Sequence, residues 1–444
     1  MAMNRREFLR RGVVFVSVGS VMPAVFVRAV YATGNNGSAS ASTNAHRTLV
    51  VLQMAGGNDG LNTVVPYADG AYYSLRQGIG VPRTAVLDLN GRIGLHPALK
   101  GFKSLWDKKQ LAVIEGVGYP QPNLSHFRSM QIWHSAAPES VKYTGWLGAY
   151  LDATIAESSS QWRAVDVGAS LPLSLSSSGS FVPAIDSVAA YALRTDAKYP
   201  KDHQNKLNAW AALYAEAAAQ PGLAAFVGGA GKDAYKSSLD LQQFAAGYKP
   251  AATYPNTALG RALQLVAQIV TSSLGTGVAY VTTGGFDTHS AQPNEHQLLL
   301  TQLSDAVSAF NLDIEGHSRQ DDVVLMTWSE FGRRPQQNGS SGTDHGTAAP
   351  MFVVGAPVKG GAYGEPPSLS SLDADGNLKF TTDFRQVYTT VLEDWLGADG
   401  TEVLGKQFSK LGFLGAAVPD PNAAKYDTTT PRGPYHAIAP GVSR

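Results

Sequence analysis

Two hydrophobic rhythms alternate along this chain. Short continuous apolar runs predict buried strands, and stretches with apolar residues three and four apart predict helices. Arg47 to Met54 is the first run, and it stops in the turn-forming sequence Ala55-Gly56-Gly57-Asn58-Asp59-Gly60. A short helix is expected from Pro97 to Trp106, then a strand at Leu111-Ala112-Val113-Ile114. Pro122-Asn123 leads into a helix from Ser125 to His134, and Arg163 to Val167 reads as a strand. Thr257 to Ser273 is amphipathic through Leu259, Leu263, Val266, Ile269 and Val270. Gly277 to Thr283 is the next strand, Glu295 to Ile314 a helix, and Asp322 to Trp328 another strand. Pro350 to Val354 is a short strand ending at Gly355, and Phe384 to Leu396 the last clear helix.

Buried strands alternating with helices predict an α/β fold, a central and mostly parallel sheet covered by helices on both faces. Residues 190–250 break the rhythm. They are rich in Ala, Gln and Tyr at helical spacing and read as a helical insertion or cap. From about Pro419 the composition turns to Pro, Asn and Thr, which predicts a loosely ordered tail over 417–444.

The N-terminus changes the picture of where the protein works. Asn4-Arg5-Arg6-Glu7-Phe8-Leu9 precedes a weakly apolar stretch from Gly12 to Val27, with a plausible cleavage site at Val30-Tyr31-Ala32. This has the layout of a twin-arginine signal, so residues 1–32 are expected to be a signal peptide and 33–46 a linker. The implied partner is the twin-arginine export machinery, and the implied location is periplasmic or secreted. Residues 47–416 then form the folded domain. No later apolar run is long enough for a membrane span.

Thirty-five basic residues balance 35 acidic ones, so no electrostatic footprint for nucleic acid exists. The chain has no cysteine, which excludes disulfides, thiolate catalysis and iron–sulfur clusters. Any metal must be held by His, Asp, Glu or hydroxyl groups.

Those residue types collect after predicted strands, where ligands sit in parallel α/β sheets. The groups are Gly57-Asn58-Asp59-Gly60, Asn123-Leu124-Ser125-His126-Phe127, Gly285-Phe286-Asp287-Thr288-His289, Ser329-Glu330-Phe331-Gly332-Arg333 and Thr343-Asp344-His345-Gly346. Asp, Glu and His converging without Cys form a ligand set for a divalent cation such as Zn, Mg, Mn or Ca. Ser125, at a predicted helix N-terminus, has amide donors beside it that favour an anion or oxyanion. Arg128 or Arg333 is expected to hold ester oxyanions, since a guanidinium fork suits phosphate or sulfate. His96, His126 and His134 are read as structural.

With these motifs the chain resembles the exported bacterial family of domain of unknown function 1501. The resemblance runs from about residue 47 to 397. That family resembles in turn the alkaline phosphatase-like superfamily, with its phosphatases and sulfatases. The resemblance implies that Asp59 is a first-strand metal ligand and Ser125 the nucleophile. It implies Asp287 and His289 for the other metal site, with His296 as the alternative histidine because His289 follows the aspartate too closely. Glu330 stands where the superfamily has Asp-His, with Phe331 in the histidine place; Asp344 and His345 complete the set.

The expected function is an exported metal-dependent hydrolase of phosphate or sulfate esters, acting on a small anionic ester or a surface polymer. Two alternatives stand beside it. One is a metal-free serine esterase using Ser125, His289 or His345 and an Asp. The other is a non-catalytic member that binds a glycan or partner protein.

Overall fold

The computed structural model describes residues 47–155, 160–191, 195 and 198–415. The expected signal peptide, the linker and the C-terminal tail lie outside the described residues. The strands are β1 (Thr48–Met54), β2 (Val64–Val65), β3 (Leu87–Asp88), β4 (Gly94–Leu95), β5 (Leu111–Gly118), β6 (Ala164–Val167) and β7 (Val278–Thr283). They continue with β8 (Val323–Trp328), β9 (Arg333–Gln337), β10 (Thr343–His345), β11 (Ala349–Val354), β12 (Gly361–Tyr363) and β13 (Thr382–Asp383).

Eight of them form the central sheet, in the order β12-β5-β11-β8-β1-β7-β6, with β13 also on β5. β1 lies parallel to both β7 and β8, and β6 parallel to β7. The sheet is therefore mostly parallel, as the alternation of runs and helices predicts. β1 is buried along its whole length. Val50 and Leu52 face one apolar cluster, Leu49 and Val51 the other. This two-sided burial explains why the strand reads as a continuous run rather than as alternating residues.

Helices Lys100–Asp107, Ala258–Val270 and Gln292–Gly316 cover the first face. Helices His126–Ser135, Trp146–Ala153 and Phe384–Asp394 cover the second. The last of these starts at a capping box made by Asp383 and Gln386, which satisfies orphan amides at its first turn. The segment read as a helical insertion contains two helices, Pro200–Ala218 and Leu223–Gly247.

One strand departs from the parallel pattern. β11 runs antiparallel to both β5 and β8. The chain leaves β8, turns through the β9–β10 ribbon and re-enters the sheet in reverse. This reversal matters for the site. In a parallel strand the residues before residue 349 would lie at the far end of the sheet. Here they lie at the rim where β1, β5, β7 and β8 end.

Candidate metal centre

Four loops meet at that rim, drawn together by backbone approach and by one buried arginine. Gly56 follows β1 at φ +122°, and a side chain there would collide with the backbone of Phe286 and Asp287. Only glycine lets the β1 turn and the β7 loop touch. Arg333 is fully buried and spends its guanidinium on this junction. Its Nε donates to Gly57 O at 2.6 Å and its Nη1 to Thr343 O at 2.9 Å. Its Nη2 reaches the carbonyls of Gly56 and Phe286 and, at 2.6 Å, Asp287 Oδ1.

Asp287 is the centre of the cluster. His289 Nε2 lies 3.0 Å and His345 Nε2 3.1 Å from its Oδ1, and His126 Nε2 lies 3.5 Å from its Oδ2. Ligand atoms of His126, Asp287 and His345 all lie within 4.8 Å of one another. Burial by itself would raise the Asp287 carboxyl. The hydrogen bond from Arg333 leads the contributions that outweigh it and bring the pKa down to about 2.

The other ring nitrogens decide which way the three imidazoles face. His126 Nδ1 lies 2.7 Å from Glu330 Oε1. His345 Nδ1 lies 2.9 Å from Leu124 O, which can only accept, so this nitrogen donates. His289 Nδ1 lies 3.5 Å from Asp344 Oδ1. Each imidazole thus has an acceptor at Nδ1 and turns Nε2 toward Asp287. That is the arrangement by which proteins hold metal-binding histidines in one tautomer. His289 Nε2 and His345 Nε2 are 3.0 Å apart. Two ring nitrogens presenting lone pairs at that distance repel unless a proton or a cation lies between them. Two imidazole nitrogens, of His126 and His345, and the Asp287 carboxylate therefore fit a divalent metal, with His289 beside them, and the set suits zinc or another transition ion better than Mg or Ca.

The sequence-predicted residues divide over this geometry. Asp287, His289 and His345 come together. Asp344 supports His289. Glu330 is beside the cluster but not in it. It is fully buried, accepts from Gly56 N at 2.9 Å and orients His126, so its place is behind the imidazole.

Asp59 is not in the cluster. It caps the short helix Gly60–Thr63 and forms a buried ion pair with Arg76. Burial works to raise its pKa, but Arg76 and smaller contributions from His296 and Gln292 leave it below the ordinary value. His296 is 1% exposed, its Nε2 lies 2.9 Å from Asn58 Oδ1, and burial pushes its pKa down to about 4. It also stays outside the cluster.

Both arginines proposed for substrate are engaged with protein acceptors. Arg333 is consumed as described. Arg128 bonds Gln131, Pro138 O and Ser140 O, away from Asp287. Ser125 is exposed at the start of helix His126–Ser135, and its side chain makes no capping bond. It lies between Leu124, whose carbonyl holds His345, and His126.

A family model described as protein of unknown function (DUF1501) matches residues 104–406. The chain belongs to this family. No curated protein matches the sequence. Among solved structures, this DUF1501 chain is similar to the C-terminal periplasmic domain of EcEptC from Escherichia coli in complex with Zn. Identity there is 9%, with 73% of this chain and 75% of that chain covered and a TM-score of 0.34. The PsFucS1 sulfatase from Pseudoalteromonas sp. aligns at 10% identity, over 83% and 70% of the two chains, with a TM-score of 0.36. The alkaline phosphatase from the Antarctic bacterium TAB5 aligns at 10% identity, over 70% and 92%, with a TM-score of 0.28.

His126 is the cluster residue that sequence reasoning passed over, reading it as structural. The signal was present. His126 stands in the Ser125-His126-Phe127 motif, at the first turn of a helix that enters the rim. That helix is pinned there by Ser129, whose hydroxyl bonds the Glu330 carbonyl and lies 2.7 Å from Tyr119 OH.

Proposed function

We propose that this DUF1501 protein is an exported metal-dependent hydrolase of phosphate or sulfate esters. The observation that carries the reading is the inward convergence of three Nε2 atoms on Asp287, each ring held from behind at Nδ1. Asp287, His126, His289 and His345 are the binding residues. Glu330, Asp344 and the Leu124 carbonyl keep the ring protons on Nδ1. A bound divalent ion supplies Lewis-acid activation of a nucleophile and of the ester oxygen.

Ser125 is the nucleophile of this reading. It is exposed, adjacent to His126, and at the N-terminus of a ten-residue helix whose first amides favour negative charge. A metal-free triad is less well supported, because among the described residues the Ser125 bond found runs from its backbone amide to Asn123 Oδ1 and none joins its hydroxyl to an imidazole. No helix among the described residues is long and apolar enough to cross a membrane. The paired arginines at Arg5-Arg6 support export.

The test is bound-metal analysis of purified protein, followed by assay of generic aryl phosphates and sulfates before and after chelation. We expect a tightly held divalent ion, turnover that chelation removes, and turnover lost in Ser125→Ala with metal content unchanged. A protein that takes up no divalent ion under saturating conditions rules the reading out. The paired-arginine signal is tested by changing Arg5 and Arg6 together to Lys, which should leave the precursor in the cytoplasm.

A further inference from the structure

We infer that the metal centre is mononuclear, and that the buried Arg76 guanidinium holds at Asp59 the place a second divalent cation would need. The inference rests on the reading that the rim cluster binds metal. It concerns the carboxylate that the superfamily resemblance offers to a second metal.

Three observations carry it. First, the coordination sphere of Asp59 is already closed by the protein. Arg76 Nη1 pairs with its Oδ2, and Gln292 Nε2 donates to the same oxygen at 2.5 Å. Asn62 N donates weakly to Oδ1 at 3.4 Å. Both members of the ion pair are 0% exposed in their side chains.

Second, Arg76 cannot swing aside cheaply. Its Nη1 also donates to Asn62 Oδ1, its Nε to Pro335 O and its Nη2 to Arg334 O, each at 2.9 Å. A divalent ion at Asp59 would have to displace this cation or sit beside it. Either leaves a buried like-charge contact or unpaired donors, and both are costly in a low-dielectric interior.

Third, the remaining ligands for such an ion are committed elsewhere. His296 Nε2 contacts Asn58 Oδ1 at 2.9 Å and Thr63 Oγ1 at 3.5 Å. Phe331, in the place expected for a histidine, packs its ring on His126 and His345 with centroids 4.8 and 4.5 Å apart. Among the described residues, the grouping of three metal-binding side chains is the rim one. The fold therefore keeps two cationic positions near β1, one open to a metal and one filled permanently by arginine.

The experiment is metal stoichiometry by elemental analysis after saturation with zinc and removal of excess, on the full-length mature protein. One ion per chain is expected for the wild type, and two overturn the inference. Asp59→Asn should still hold one ion with unchanged zinc affinity. A fall in stoichiometry or affinity in this variant makes Asp59 a ligand and overturns it as well. Arg76→Met alone leaves a buried carboxylate unpaired and can unfold the protein. The double variant Asp59→Asn with Arg76→Met removes both charges, and it should fold and retain one ion. A second ion bound by Arg76→Met but not by the double variant would support the replacement directly. If the wild type and every variant bind no zinc, the functional reading fails together with this inference.

Discussion

Two polar clusters lie at the same end of the sheet, and they differ in what they leave unsatisfied. Around Asp287 the rings of His126, His289 and His345 are 22–44% exposed, and each turns one ring nitrogen toward a shared carboxylate. Around Asp59 every group is buried and already paired, with Arg76, Gln292, Asn62 and His296 closing the network. Both contain a carboxylate after a strand, a histidine and an arginine. The difference is whether protein donors saturate the carboxylate or leave lone pairs in front of it. Only the unsaturated cluster can take a ligand from solution, and the saturated one behaves as part of the core.

That contrast can be broken from either side. The largest effect should come from Asp287→Ala, which removes the carboxylate shared by three imidazoles. Bound metal and any ester turnover should be lost together, beyond the roughly 10–100-fold that a supporting residue costs. Titration of apo protein with zinc against a competing chelator measures it. Retained affinity would mean the centre lies elsewhere.

Glu330→Ala should come next. It frees His126 to rotate and leaves Gly56 N without its acceptor, so zinc affinity should fall about 10–100-fold. Glu330→Gln keeps an oxygen facing Nδ1 and should recover most of that loss. Equal losses in the two variants would point to charge rather than orientation.

Asp59→Ala should show the opposite profile. Leaving Arg76 buried without its partner should cost about 3–5 kcal/mol of stability, with zinc binding unchanged in the protein that remains folded. Urea unfolding in parallel with metal counting separates the two readouts.

The smallest and most distributed effect is the pH response of the interior. Burial lowers the pKa values of His96, His134 and His296 to about 4. Burial raises that of Asp166 to about 8. Between pH 6.5 and 4 the unfolded chain binds protons on these histidines that the native chain does not. The native chain keeps one on Asp166 that the unfolded chain releases above its ordinary pKa. Net uptake on unfolding is positive, so stability should fall as pH drops through this window. Replacing His134 by Gln should flatten the slope measured by urea unfolding at pH 7 and pH 4.5.

Much of the fold was legible in the sequence. Leu49 to Leu52, Val278 to Val281 and Val323 to Met326 are apolar without interruption because both faces of these stretches are covered. The helix at Ala258–Val270 keeps its apolar stripe because one side meets the sheet. The glycine turn after β1 and the motifs after β7, β8 and β10 announced polar groups at strand ends. Strand direction was less accessible. Nothing in Pro350 to Val354 says that β11 runs backward, since direction follows from how the β9–β10 ribbon turns.

What the sequence determined by itself was the set of elements, the fold class and the short list of chemically capable residues, because periodicity and turn chemistry are local. What only the tertiary structure decided was the partner of each charged group. Asp59 meets Arg76, Asp287 meets three histidines, Glu330 meets His126 across 204 residues of chain, and His296 turns inward to Asn58. A carboxylate ends in an open histidine cluster or in a core ion pair according to which groups the fold packs against it. That is set by the packing of distant loops, which no local pattern records.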